Sequence, residues 1–143
     1  MVMHTLIFVG KSGSGKGTQV KLLEKYLSAK DPKTPIVGLE TGDFLRTYFA
    51  SGTYSSEISK GITNSGQLQP EFISINMWSN FLLQFMKPNC HLFVDGTPRK
   101  YHEAGAFDSA IQFYDRKNPI VLLLHAPHDI VKDRLIKRGR ADD

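Results

Sequence analysis

The run Gly10-Lys11-Ser12-Gly13-Ser14-Gly15-Lys16-Gly17-Thr18 holds the first residues in this chain whose types and spacing suit chemistry. Glycines let the backbone curl until successive N–H groups point inward at an anion. The run lies between a β-rich segment, residues 5–9, and a helical pattern that begins at Lys16. The positive end of that helix dipole therefore faces the same point. Lys16 adds a mobile point charge able to reach the outer phosphates of a nucleotide. The order strand, glycine loop, lysine, helix predicts an ATP-phosphate site made by Gly13, Ser14, Gly15, Lys16, Gly17 and Thr18. The general pattern has Ser or Thr directly after the lysine; here Gly17 stands there and Thr18 follows. Many reactions use such a loop, so the loop alone does not name one.

Three further groups bear charge in telling places. Asp95 ends the apolar run His91-Leu92-Phe93-Val94 and is followed by Gly96-Thr97-Pro98-Arg99. An acid at the carboxyl end of a parallel strand, beside a phosphate loop, is placed to anchor a magnesium ion through water. Arg46 offers a planar fork that suits a phosphate dianion better than a lysine does. Arg134 and Arg138 are four residues apart, hence on one helical face and able to converge on one ligand. The five histidines show no metal-binding spacing.

The elements needed to position these groups alternate. Strands are expected at residues 5–9, 36–39, 92–94 and 120–124, with helices at 16–27, 43–50, from Pro70 to before Pro88, 102–114 and 128–137. The last two strands are near-continuous apolar runs, which predicts burial on both faces. Phe72, Ile73, Met77, Phe81, Leu82 and Phe85 give the long helix a broad apolar face for packing on the sheet. Turn-rich clusters at 31–35 and 61–66 read as connectors. The fold class is therefore α/β, a parallel sheet covered by helices.

Bulk properties agree with one domain. The chain has 143 residues, 41% hydrophobic and 22% charged, enough for a single core. Its formal charge of +4 comes from scattered cations with no basic run, which favours small polyphosphates over nucleic acid. The single cysteine, Cys90, fits a reducing compartment. The amino-terminal apolar run is too short for a signal peptide, and no stretch approaches a membrane span, so the cytoplasm is the expected location.

The variant Gly10 through Gln19, Gly-x-x-Gly-x-Gly-Lys-Gly-Thr-Gln, closely resembles the phosphate loop of the adenylate kinase family. Lys11 is an extra cation where that family has a small neutral residue. Glu40-Thr41-Gly42-Asp43-Phe44-Leu45-Arg46 is similar to its acceptor motif, Ser-Thr-Gly-Asp-hydrophobic-Leu-Arg. Gly66-Gln67-Leu68-Gln69-Pro70 is similar to its Gly-x-Leu-Val-Pro segment, and residues 95–99 to its Asp-Gly-Phe-Pro-Arg, with Thr97 replacing the aromatic residue.

The resemblance implies the P-loop NTPase-type three-layer fold, here lacking the final strand and helices. It also implies one kinase domain over 1–143, with an acceptor flap at about 41–70, centred on residues 54–65, and a short lid starting at about 134–143. By the same resemblance Thr41, Gln67, Leu68 and Gln69 cradle the acceptor base, Arg46 and Arg99 grip its phosphate, and Arg134 contacts ATP. Lys16, Arg99, Arg134, Arg138 and Arg140 then form the catalytic cage, with Asp95 holding magnesium through water.

The family's base-reading glutamine corresponds to Glu103, which only accepts hydrogen bonds when ionised. Glu103 is expected to take one from adenine's amino group or from guanine's donors.

The implied reaction moves the terminal phosphoryl group of ATP to AMP, with magnesium, in a monomer that binds neither nucleic acid nor membrane. The alternatives are another acceptor (GMP, CMP or UMP) or a nucleotide-binding module without turnover. A GTPase would need an Asn-Lys-x-Asp guanine reader, and the sequence has none.

Overall fold

In the computed structural model, which describes residues 3–139, strands and helices alternate as the apolar spacing predicts except between the second and third strands, where three helices follow in succession and the middle one, over residues 54–64, was not expected. The elements run β1 (Thr5–Val9), α1 (Lys16–Lys30), β2 (Ile36–Glu40), α2 (Thr41–Phe49), α3 (Tyr54–Asn64), α4 (Glu71–Phe85), β3 (His91–Asp95), α5 (Tyr101–Phe113), β4 (Ile120–Leu123) and α6 (His128–Arg138). All strand pairings are parallel, in the order β2-β3-β1-β4. This is the three-layer α/β architecture of P-loop proteins.

Side chains alternate across the sheet with period two, and that alternation divides the core. Ile7, Leu39, Leu92 and Val94 face one side and pack with Trp78 and Leu82 of α4 and Phe107 and Ile111 of α5. Leu6, Phe8 and Phe93 face the other, against Val20, Leu23 and Leu27 of α1. Fully burying each such side chain stabilises the fold by about 1.5–3 kcal/mol. Leu92 and Val94 have no exposed surface, so truncating either would leave a cavity and cost about 2–5 kcal/mol.

Three expectations need correction. On α4, Phe72 and Phe85 are 71% and 52% exposed, and the buried seam is Ile73, Trp78 and Leu82. The helix meets the sheet along a narrower stripe than its composition allows. The run at 61–66 is not all connector, since α3 continues to Asn64 and its Thr53 N-cap accepts from the Ser56 N–H. On β4, Ile120, Val121 and Leu123 are exposed at 45%, 60% and 72%. It pairs only with β1 and is an edge strand among the described residues, so its apolar run does not signify burial on both faces. No described helix is long and apolar enough to cross a membrane.

Candidate functional site

The carboxyl ends of three strands meet around the phosphate loop. β1 delivers its chain into residues 10–15, β2 ends at Glu40, and β3 ends at Asp95, paired in register with Glu40 and with Phe8. Gly15 caps α1 in a left-handed conformation, and Ser14 N–H donates to Lys11 O at 3.1 Å to close the turn. Gly13 also has a positive φ of 77°, and a Cβ there would lie 3.1 Å from both Leu135 Cγ and Val131 O. The loop is therefore packed directly beneath α6. Ser14 Oγ is buried and has no hydrogen-bond partner among the described residues, so it is a hydroxyl with donor and acceptor capacity to spare. Gly17 and Thr18 are exposed on the first turn of α1.

Positive charge collects over this loop. Lys16 Nζ bridges Gly10 O at 2.8 Å and Lys11 O at 3.1 Å. Arg134 Nη1 donates to Gly13 O at 3.3 Å and Ser14 O at 3.4 Å, and Arg138 Nη2 donates to Ser12 Oγ at 2.9 Å. Both arginines thus reach the phosphate loop from α6. Burial pushes the Lys16 amine down from its ordinary value, Asp95 opposes this, and Arg99 and Arg138 add to it. Burial pushes the Asp95 carboxyl up, against the pull of Lys16 and Arg99. One carboxylate and several cations thus share a partly dehydrated space, where charge interactions strengthen. Arg140 lies outside the described residues.

Beside the loop is an open cleft lined by Thr41, Leu45, Leu68, Gln69, Met77 and Glu103, with Arg99 and Lys100 also on its wall. Thr41 is buried and its Oγ1 donates to Asp95 O at 3.4 Å, linking the cleft floor to β3. Gly96, with φ 94°, lies so close to Thr41 Oγ1 that no side chain fits there. Arg46 pairs with Asp43 one turn earlier on α2, and Arg99 Nε donates to Gly96 O at 2.7 Å. Gln67 is exposed and Leu68 is 47% exposed, whereas Gln69 is buried.

Two side chains at the cleft are committed within the protein: that of Gln69, whose segment was expected to cradle the base through backbone groups and an apolar side chain, and that of Glu103, expected to meet the base. Gln69 Oε1 accepts from Ser59 Oγ, and its Nε2 donates to Ser59 O and Thr63 Oγ1, each at 2.7 Å. Gln69 therefore staples the loop before α4 onto α3. Glu103 is 2% exposed, its Oε1 accepting from the Thr97 hydroxyl and its Oε2 from the Arg99 N–H at 2.8 Å. Both oxygens turn to the preceding loop, which differs from the expected base contact. Sequence reading also missed Ser12, the partner of Arg138, and Glu40, whose carboxyl burial and the charges of Asp43 and Asp95 push up. Glu40 had a signal: it replaces the serine that opens the acceptor motif. Ser12 had none.

Comparison with known proteins agrees with this geometry. The family model described as "Adenylate kinase" matches residues 8–143. The chain is 33% identical to adenylate kinase 1 of Synechocystis sp. over 138 residues, covering 96% of this chain and 70% of that protein. It is 34% identical to an adenylate kinase of Bacteroides thetaiotaomicron, covering 99% and 72%. It is also 34% identical to a uridylate kinase of Saccharomyces cerevisiae, covering 97% and 66%.

Proposed function

This chain belongs to the adenylate kinase family of phosphotransferases, and from that premise we propose that it transfers the terminal phosphoryl group of ATP to AMP, giving two ADP. The observation that carries the reading is the gathering of Lys16, Arg134 and Arg138 on the phosphate loop, with Lys16 and Arg99 acting on the Asp95 carboxylate, beside the cleft lined by Thr41, Leu68 and Arg99.

The nucleophile is an oxygen of the acceptor phosphate, whose second pKa of about 6 leaves it mostly ionised at neutral pH. No general base is required. The rate enhancement comes from alignment and charge neutralisation. The loop amides and Lys16 hold the ATP phosphates, and Arg134 and Arg138 approach from α6 over the same loop. Arg46 and Arg99 hold the acceptor phosphate, while Thr41, Leu45, Leu68 and Met77 enclose its base. Arg140, next after Gly139, extends the same basic segment. Segment 41–70 acts as the acceptor flap and 134–143 as the start of the lid, and their closure excludes water.

Asp95 fits a magnesium ion: it is a hard oxygen donor at the carboxyl end of β3, in the same partly dehydrated space as Lys16 of the phosphate loop. Such a donor suits an ion that keeps most of its water. When bound, magnesium neutralises charge on the transferring phosphates. We assign the enzyme to the cytoplasm, as a monomer acting on free nucleotides.

A second acceptor, UMP, is favoured by the uridylate kinase relative. Both readings are tested by measuring ADP formation from ATP with AMP, GMP, CMP and UMP in turn. The highest kcat/KM with AMP supports the first reading and with UMP the second. Absence of turnover with all four would overturn both.

A further inference from the structure

Accepting that the cleft is an acceptor-nucleotide site, we propose that Glu103 is a positioning residue for Arg99, and that it does not read the acceptor base. Arg99 is exposed at the cleft wall, and long arginine side chains on a loop lose much rotamer entropy when they grip a phosphate. Something must fix the loop that carries it. Glu103 stands in the first turn of α5, two residues into the helix from Tyr101. There the helix dipole favours a carboxylate, and an acid can reach back to a backbone N–H preceding the helix. It reaches Arg99 itself, accepting from that N–H at 2.8 Å.

The other carboxylate oxygen accepts from the Thr97 hydroxyl, and Thr97 is as buried as Glu103, each 2% exposed. The loop is held from the far side by Arg99 Nε, which donates to Gly96 O at 2.7 Å. Residues 96–99 are thus clamped at three points, two of them on one carboxylate. Thr97 and Glu103, both departures from the family's pattern, bond to each other. An amide in place of the acid would keep one acceptor oxygen and turn an NH₂ donor toward a second donor. Thr97 and Glu103 therefore act as one matched pair, and what the pair orients is the phosphate-gripping arginine.

This assignment separates from base reading by which part of the ligand feels its loss. The experiment is calorimetric titration of AMP, GMP, CMP, UMP and ribose 5-phosphate into wild type, Glu103→Gln, Thr97→Val and Arg99→Lys, and into the double variant Glu103→Gln/Arg99→Lys. Positioning predicts that Glu103→Gln weakens all five ligands together by roughly tenfold, as losing a hydrogen bond to a charged group does. Thr97→Val gives the same pattern with a smaller loss, and keeps the test valid should the glutamine variant fold poorly. In the Arg99→Lys background, Glu103→Gln has little further effect, because its route to the ligand is already broken. A change in the ranking of the four bases with ribose 5-phosphate unaffected would make Glu103 a base reader and overturn the proposal. So would full additivity with Arg99→Lys. Wild type that binds none of the monophosphates would instead overturn the acceptor-site reading, and Glu103's role with it.

Discussion

At the scale of the residue, the site combines groups that are uncomfortable together. Burial pushes the Lys16 amine down, and Arg99 and Arg138 repel it further, with Asp95 alone in opposition. Removing that amine therefore relieves the folded state even as it removes the charge that meets the outer phosphates. Lys16→Ala is expected to lower kcat by about 10²–10³-fold, the usual loss for one preorganised electrostatic contact. Its melting temperature should stay level or rise. Steady-state kinetics paired with a thermal melt checks both, and a variant that melts well below wild type would mean that Lys16 is structural. This residue was legible from the sequence because lysine, glycines and helix start are local and fixed in spacing. The role of Glu103 was not. Which of its partners a carboxylate meets depends on the path of residues 96–99, and no spacing rule encodes that path.

At the scale of the element, packing decides what the loop and flap can do. Gly13, at φ 77°, lies under α6 with Leu135 and Val131 in contact distance of any added carbon, so Gly13→Ala meets both backbone strain and a clash. A cost of about 1–2 kcal/mol is expected from the left-handed backbone alone. Gly17→Ala is the control: Gly17 is helical with nothing within 4 Å, and should be neutral or stabilising by up to about 1 kcal/mol. Urea midpoints for the two variants test the contrast, and equal midpoints would deny the packing of α6 on the loop. On the acceptor side, Gln69→Leu removes three hydrogen bonds, two of them buried, that join the loop to α3. Loosening should be local, read as faster amide exchange across residues 54–66 with little change in β1 and β3. Uniform acceleration would instead mean that α3 is part of the global folding unit. The sequence announced α4 and α6 by period but not α3, and it overstated the apolar face of α4 and the burial of β4. Periodicity reports what a segment is able to bury, whereas neighbours determine what it does bury. The exposed Phe72, Val121 and Leu123 mark that difference.

At the scale of the whole molecule, the two ends of the sheet carry different duties. The carboxyl ends hold the charged site; the amino ends are locked by a buried arginine. Arg116 donates to Thr5 Oγ1 at 2.9 Å, Cys90 O at 2.7 Å and His4 O at 2.8 Å, tying β1, the turn before β3 and the end of α5 together. Against this cation lies His91, 2% exposed and stacked on His4 with ring centroids 5.2 Å apart. Its Nδ1 accepts from the His4 N–H at 3.1 Å, so a proton there would break that bond. Burial first, then His4 and Arg116, push the His91 imidazole below its ordinary value, with Asp31 opposing. The unfolded chain takes up this proton at about pH 6.5, whereas the folded chain takes it up only at lower pH. The stability that the neutral ring contributes is therefore complete above that value and is lost as pH falls from it toward the depressed folded pKa. Linkage limits the loss to about 1.4 kcal/mol per pH unit. Between pH 7.5 and 5.5, wild type should lose more stability than His91→Phe, which keeps a stacked ring and has no proton to gain. Urea denaturation at the two pH values measures this. Because His91 stands at the opposite end of β3 from Asp95, kcat/KM at pH 7.5 should be the same in both proteins. Equal acid sensitivity of the two would remove His91 as the cause, and a kinetic defect at pH 7.5 would show that the two ends of the sheet are coupled.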